Sequence, residues 1–142
     1  MAASDTRLDL VIITGLSGAG KSTVLHVLED AGYLAVDNLP AAIIDTFLAL
    51  LVASGEVHRV ALVGDSRDPR FPSSVGRVME EARDHGHTVR LLFQEATDEI
   101  LVRRYSETRR RHPLATDGRT VSQAIAQERE LMAPVRERAS HV

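Results

Sequence analysis

Residues 15–22 read GLSGAGKS, and the only lysine of the 142-residue chain, Lys21, lies inside this stretch. The chain has 17 lysine and arginine residues, and all of them except Lys21 are arginines. A short run of β-branched and apolar residues, 8–14, precedes the stretch and is typical of a buried strand. Apolar residues at helical spacing follow it over 24–31 and end at Gly32, a favoured residue just past a helix end. The sequence therefore predicts a glycine-rich loop that joins a strand to a helix.

This loop matches the phosphate-binding pattern G-x-x-x-x-G-K-[ST] at Gly15, Gly20, Lys21 and Ser22. Glycines allow several backbone N–H groups to point at phosphate oxygens, and the positive end of the following helix adds to the attraction. The position requires lysine because its compact ammonium fits beside the β- and γ-phosphates, whereas a planar guanidinium is broader. A turn that merely reverses the chain is the alternative, and the strand-loop-helix context disfavours it.

The loop is predicted to bind both the phosphates and the metal of a nucleotide. We expect the phosphates to contact Gly15, Leu16, Ser17, Gly18, Ala19, Gly20, Lys21, Ser22 and Thr23. The Ser22 hydroxyl is the expected Mg²⁺ ligand. Asp65 directly follows the apolar run RVALVG, as a Walker-B carboxylate does, and is the second expected Mg²⁺ ligand. The alternatives are that Asp65 only starts a turn, or that Asp37, after another predicted strand, takes this role.

Strands and helices are predicted to alternate along the chain. Further predicted strands are 33–36, 59–64 and 88–93, and further predicted helices are 40–53, 73–85 and 97–111. A last helix begins after Thr120, which forms a capping box with Gln123, and Pro134 should kink or restart it. Two prolines in residues 66–72 predict a loop there, with Ser73 or Ser74 capping the next helix. The alternation predicts the α/β class, a P-loop NTPase-type parallel sheet with helices on both faces.

The composition predicts one domain over residues 1–142, because 44% hydrophobic residues in a chain of this length can bury one core. The absence of cysteine excludes a disulfide framework and a thiolate metal site. The longest apolar run near the start, 10–13, is too short for a signal peptide or a membrane span, so we expect a cytoplasmic protein with no membrane partner. Residues 139–142 directly follow a helix, where another strand is expected, which predicts the N-terminal part of a longer protein whose C-terminal domain is absent.

Five arginines and one glutamate lie within residues 103–112, a local charge of +4 in a chain whose net charge is −3. Arg104 and Arg111 are seven residues apart and so share one helix face. Three interpretations stay open: a solvated helix face, a lid whose arginines neutralise phosphate charge during transfer, and a basic surface for RNA. We favour the lid because the run follows the fourth predicted strand and can lie near the carboxyl ends of the sheet. Lys21, Arg104 and Arg111 are then the predicted catalytic residues.

The chain resembles the bacterial RapZ/YvcJ family of P-loop nucleotide-binding proteins in five segments and in the order in which they occur. The segments are GLSGAGKS (15–22), LEDAGY (28–33), VDNLP (36–40), DSRD (65–68) and RRYSETRRRHPL (103–114). The resemblance implies an ATP-type phosphate site at the first segment. It also implies contacts with GTP from Asp65, Ser66, Arg67 and Asp68. In the family this segment is Asp-Val-Arg-Asn or Asp-Val-Arg-Ser, and the present sequence departs from that pattern.

The resemblance further implies weak hydrolysis of ATP and GTP. Enterobacterial members act as RNase adapters, a role that rests largely on a C-terminal domain and on oligomerisation, so it is not carried over to these residues. We predict an ATP- and GTP-binding regulatory module with slow Mg²⁺-dependent hydrolysis, and expect the longer protein to have an RNA or protein partner and to form homo-oligomers. The alternatives are a small-molecule or nucleotide kinase, which would use a specific phosphate acceptor, and an RNA-binding adapter surface, whose affinity would fall with salt.

Overall fold

The structure, a computed structural model, describes residues 7–16, 19–37, 39–64, 70–108 and 120–142, with the backbone alone for 105–108. The strands are β1 (Asp9–Gly15), β2 (Leu34–Val36), β3 (Arg59–Val63) and β4 (Thr88–Gln94). The helices are α1 (Lys21–Asp30), α2 (Ile44–Ser54), α3 (Phe71–Asp84), α4 (Asp98–Thr108) and α5 (Val121–Glu137). A single 3₁₀ turn, Ala41–Ile43, leads into α2.

The four strands form one parallel sheet in the order β2-β3-β1-β4. Side chains alternate across β1, so Leu10 and Ile12 join the large core cluster that also holds residues of α2, α3 and α5. Val11 and Ile13 point to the opposite face and pack with Leu25 of α1. The predicted α/β class and the parallel sheet with helices on both faces are confirmed. Burial on both faces also explains why β1 reads as one continuous apolar run.

Helix α3 begins earlier than the sequence predicts. Its first residue is Phe71, and its N-cap position is Arg70 rather than Ser73 or Ser74. The predicted loop is therefore wrong at its last two residues, while residues 65–69 lie outside the described part of the chain. Pro72 is tolerated in the first turn because a helix leaves its first N–H groups unpaired there. The Phe71 ring, only 2% exposed, places this first turn against the core.

Helix α5 begins with the predicted capping box. The backbone N–H of Gln123 donates to Thr120 Oγ1 at 3.1 Å, and the backbone N–H of Thr120 donates to the side-chain oxygen Oε1 of Gln123 at 2.9 Å. The predicted restart at Pro134 is wrong, since the helix runs unbroken to Glu137. Pro134 lies on the exposed face of α5. Met132 and Val135, which lie before and after it in the sequence, are completely buried and pack in the core. At 17 residues α5 is the longest described helix, and none of the described helices is long and apolar enough to cross a membrane.

The residues after α5 lie along the outer edge of β4. The Ser140 N–H donates to the Leu91 carbonyl at 2.8 Å, and the Phe93 N–H donates to the His141 carbonyl at 2.9 Å. Leu92 and His141 form a parallel bridge. An isolated bridge thus joins the residues after α5 to β4.

The start of β1 depends on a neutral histidine. His87 Nδ1 accepts a hydrogen bond from the Leu8 N–H at 3.0 Å, so this nitrogen must be unprotonated. Burial lowers the pKa of His87 below its ordinary value, and the nearby His85, whose ring centroid lies 6.4 Å away, lowers it further. Because the pKa of His87 is lower in the folded protein than in the unfolded chain, where it is about 6.5, unfolding is accompanied by proton uptake once the pH falls to about that value. The stability from this group is thus present above that pH and lost below it.

We expect the free energy of unfolding to fall more steeply between about pH 7 and pH 5 in the wild type than in His87→Asn, by up to about 1 kcal/mol. Asparagine can place an acceptor oxygen near the Nδ1 position but does not titrate. Urea unfolding at each pH measures the difference. The control is His85→Asn. Because His85 is exposed, this variant should keep most of the wild-type pH dependence of the free energy of unfolding. Equal slopes for wild type and His87→Asn would contradict the assignment.

Candidate phosphate-binding site

The backbone at the start of the loop after β1 lies in close contact with the end of β4. Gly15 has a φ of +139°, and a Cβ added to it would lie 2.7 Å from the Gln94 nitrogen and would also strike the Gln94 carbonyl oxygen. The Leu16 N–H donates to that same carbonyl at 3.2 Å. Glycine is therefore required here both for its backbone conformation and for this close approach.

Lys21 opens α1 with its side chain directed into the loop. The side chain is 8% exposed, and its Nζ donates to the Leu16 carbonyl at 3.0 Å and to the Gly15 carbonyl at 3.4 Å. Burying an ammonium is costly unless hydrogen bonds compensate for the lost water, and the loop carbonyls supply them. The one lysine of the chain is thus held as a fixed positive charge inside the loop.

Helix α1 begins directly after a glycine of the loop. Gly20 occupies the N-cap position with a φ of +100°, and a Cβ there would meet no atom within 4 Å. Within the described residues no side chain caps this helix, and the positive end of its dipole is directed at the loop. Ser22 and Thr23 are exposed in the first turn. Together with Lys21, this arrangement suits a polyanion.

Thr14, the residue before Gly15, was not singled out by the sequence. Its side chain is completely buried, and its hydroxyl has no hydrogen-bond partner among the described residues. Leaving a buried hydroxyl unpaired costs about 1–3 kcal/mol. This buried polar side chain lies directly beside the loop.

The structure brings together part of the predicted site. The described members, all in one loop and helix start, are Gly15, Leu16, Ala19, Gly20, Lys21, Ser22 and Thr23. Arg104 lies exposed on α4, which follows β4. The predicted residues outside the described part are Ser17, Gly18, Asp65, Ser66, Arg67, Asp68 and Arg111. Their roles, including the Mg²⁺ ligand pair of Ser22 and Asp65, therefore stay predictions, and the described side chains contain no cluster of three or more His, Cys, Asp or Glu that could hold a metal.

Arg129 of α5 is a second residue that sequence reasoning missed. Its guanidinium donates from Nη1 to Glu95 Oε1 at 2.7 Å, from Nη2 to the Ala96 carbonyl at 2.7 Å, and from Nε to Asp98 Oδ1 at 2.8 Å. Burial opposes its charge, but the carboxylates of Glu95 and Asp98 outweigh burial and raise the pKa of Arg129. The three bonds tie α5 to the connection between β4 and α4.

Comparison with known proteins identifies a family. The family model of the RapZ-like N-terminal domain matches residues 8–142. A nucleotide-binding protein of Anaeromyxobacter dehalogenans strain 2CP-C is 54% identical over 134 residues, which cover 94% of this chain and 46% of that protein. A nucleotide-binding protein of Geobacter sulfurreducens is 49% identical over 134 residues, covering 94% of this chain and 47% of that protein. The chain thus spans about half the length of these curated relatives.

Solved structures of small-molecule kinases share the fold. Shikimate kinase from Acinetobacter baumannii, in complex with shikimate, superposes with a TM-score of 0.58 at 17% identity, covering 94% of this chain and 82% of that one. A gluconokinase from Sinorhizobium meliloti superposes with a TM-score of 0.57 at 17% identity, covering 96% and 82%. At this identity the likeness concerns the fold alone.

Proposed function

The chain belongs to the RapZ-like N-terminal domain family, and from that premise we propose that it binds ATP and GTP at the loop of residues 15–22 and hydrolyses them slowly in a regulatory role. The observation that carries this proposal is the buried Lys21 ammonium, bonded to the carbonyls of Gly15 and Leu16. An ammonium already held in the loop can neutralise a triphosphate without first being ordered, so its attraction for phosphate is not reduced by lost side-chain entropy.

The position of the loop at the start of α1 supports a nucleotide as the ligand. The positive end of the helix dipole favours phosphate oxygens, and the Ser22 hydroxyl is exposed next to Lys21. A hydroxyl and a carboxylate are hard oxygen ligands of the kind that Mg²⁺ prefers, so Ser22 and Asp65 would hold the ion. When bound, Mg²⁺ neutralises charge on the β- and γ-phosphate oxygens. We assign Asp65, Ser66, Arg67 and Asp68 to the contacts with GTP.

The relatives are longer than this chain, so the regulatory part of the proposal concerns the whole protein. We propose that the whole protein is cytoplasmic, forms homo-oligomers and passes the nucleotide state to an RNA or protein partner. The domain of residues 1–142 would supply the nucleotide-dependent element of that regulation.

Titration calorimetry with ATP and with GTP, each with and without Mg²⁺, tests the proposal, followed by analysis of the products. We expect saturable binding that strengthens with Mg²⁺, and slow release of inorganic phosphate without any added acceptor. Binding without hydrolysis, but with phosphate transfer to a small molecule, would replace the proposal with the kinase interpretation. No binding of either triphosphate by the folded protein would contradict it.

Replacing both Arg104 and Arg111 with alanine should reduce the hydrolysis rate by about tenfold or more, because arginines that face a transferring phosphoryl group stabilise its charge. RNA affinity should be weak in the wild type, since arginines without stacking aromatic partners mainly give salt-sensitive phosphate contacts. Hydrolysis rates and RNA affinities at low and moderate salt measure both effects. A double variant on α3, Arg77→Ala with Arg83→Ala, removes the same charge elsewhere. If hydrolysis is unchanged while RNA affinity collapses, the lid interpretation is wrong.

A further inference from the structure

We propose that Arg129 is a positioning residue, which holds the connection between β4 and α4 and so sets the place of the phosphate loop on one side and of α4 on the other. The role in catalysis rests on the proposed function, whereas the mechanical coupling does not.

The guanidinium of Arg129 bonds to three successive points of this connection. Glu95 directly follows β4, Ala96 contributes its carbonyl, and Asp98 is the first residue of α4. The bond to the Ala96 carbonyl is partly buried, whereas the bonds to Glu95 and Asp98 lie at the surface. One planar guanidinium nevertheless makes all three charge-assisted bonds, which fixes its geometry relative to the connection. Arg136, about two helical turns further along α5, places its Nε 3.5 Å from Glu95 Oε2. The carboxylate of Glu95 is thus held from two positions on α5.

The same connection begins at Gln94, which supports the phosphate loop. The Gln94 carbonyl accepts the Leu16 N–H, and the Leu16 carbonyl in turn accepts a hydrogen bond from Lys21 Nζ at 3.0 Å. A continuous series of contacts therefore runs from α5 through Glu95 and Gln94 to the buried ammonium. A shift of the connection would move the carbonyl that positions Lys21.

Packing between α5 and the loop is incomplete on this side. A pocket of about 360 Å³ that opens to solvent lies between them, and it is lined by Leu16, Phe93, Glu95, Arg129, Met132 and Arg136 among others. Close-packed side chains resist displacement by themselves, and this pocket leaves fewer such contacts between α5 and the strand end. The bonds of Arg129 therefore limit how far the strand end and α4 can shift relative to α5. Arg104 lies on the same helix as Asp98, so the same bonds constrain the predicted lid arginine.

The coupling is tested by amide hydrogen exchange in Arg129→Gln and in a matched control, Arg77→Gln. Arg77 also bonds two carboxylates, Asp45 at 2.8 Å and Glu81 at 3.1 Å, but it joins α2 to α3 on another part of the surface. We expect exchange of the Leu16 amide, and of the Leu101 amide in the first turns of α4, to rise at least tenfold in Arg129→Gln and to stay within about twofold of wild type in Arg77→Gln. Unchanged exchange at Leu16 in Arg129→Gln would overturn the proposal.

The catalytic consequence is measured by a double-mutant cycle between Arg129→Gln and Glu95→Gln. Hydrolysis of Mg-ATP should fall about tenfold in kcat with KM changed less than threefold, and the double variant should lose no more than either single variant, because all three break the same bond. Additive losses, or an equal loss in Arg77→Gln, would reject a positioning role. A wild type that does not hydrolyse nucleotide would defeat the proposed function instead, and the exchange experiment would still decide the coupling.

Discussion

Lys21→Ala should lower the affinity for ATP and for GTP by at least about 100-fold, since it removes a charged hydrogen-bond donor that the fold holds in place for phosphate. The effect should exceed that of any other single replacement in the described part of the loop, because Lys21 is the one ammonium that the sequence supplies. Calorimetry with both nucleotides in the presence of Mg²⁺ measures the loss. Hydrolysis should fall to the background rate.

The fold should survive this replacement. The two hydrogen bonds from Nζ go to carbonyls of the loop and not to the core, and removing a buried charge offsets part of their loss. We expect the free energy of unfolding to change by no more than about 1 kcal/mol. Lys21→Arg is the matched control for charge, and it should also bind poorly because the guanidinium is too broad for the loop. Wild-type affinity in a folded Lys21→Ala protein would remove Lys21 from the site.

Gly15→Ala should destabilise the protein by about 3 kcal/mol or more, which corresponds to a fall in Tm of roughly 10 °C. Two costs add. The φ of +139° is unfavourable for a residue with a side chain, and the added methyl group would strike the backbone of Gln94, which pairs with Gly15 at the end of β4 and cannot give way cheaply. Moving the loop away from Gln94 would also break the bond from Leu16, so nucleotide affinity should fall as well.

Gly55→Ala separates the two costs. Gly55 also has a positive φ, +67°, but a Cβ there would meet nothing within 4 Å, so only the backbone cost of about 1 kcal/mol applies. Thermal and urea unfolding of both variants give the comparison. If Gly15→Ala is no less stable than Gly55→Ala, the contact with Gln94 does not constrain the loop.

Local sequence patterns were sufficient for the fold class and for the strand-loop-helix unit that carries the candidate site. The continuous apolar run of β1 and the glycine pattern after it identify the strand-loop-helix unit, because burial on both faces and close phosphate approach each demand particular residue types within a few positions. The capping box at Thr120 and Gln123 was predictable for the same reason, since its partners are three residues apart. These features depend on neighbours in the chain, so the sequence displays them directly.

Contacts between distant segments decided the rest. The two prolines of residues 66–72 predicted a loop through Pro72, and Pro134 predicted a kink or restart. The helices nevertheless contain Pro72 and Pro134, each beside a buried residue, Phe71 and Val135 respectively. Arg129 reads as an ordinary surface arginine because its partners, Glu95 and Asp98, lie 34 and 31 residues earlier. Only the packing of α5 beside the end of β4 brings these charges together. Hydrophobic periodicity records which face of a helix is buried but not which segment buries it, and so the partners of Arg129 follow from the tertiary structure alone.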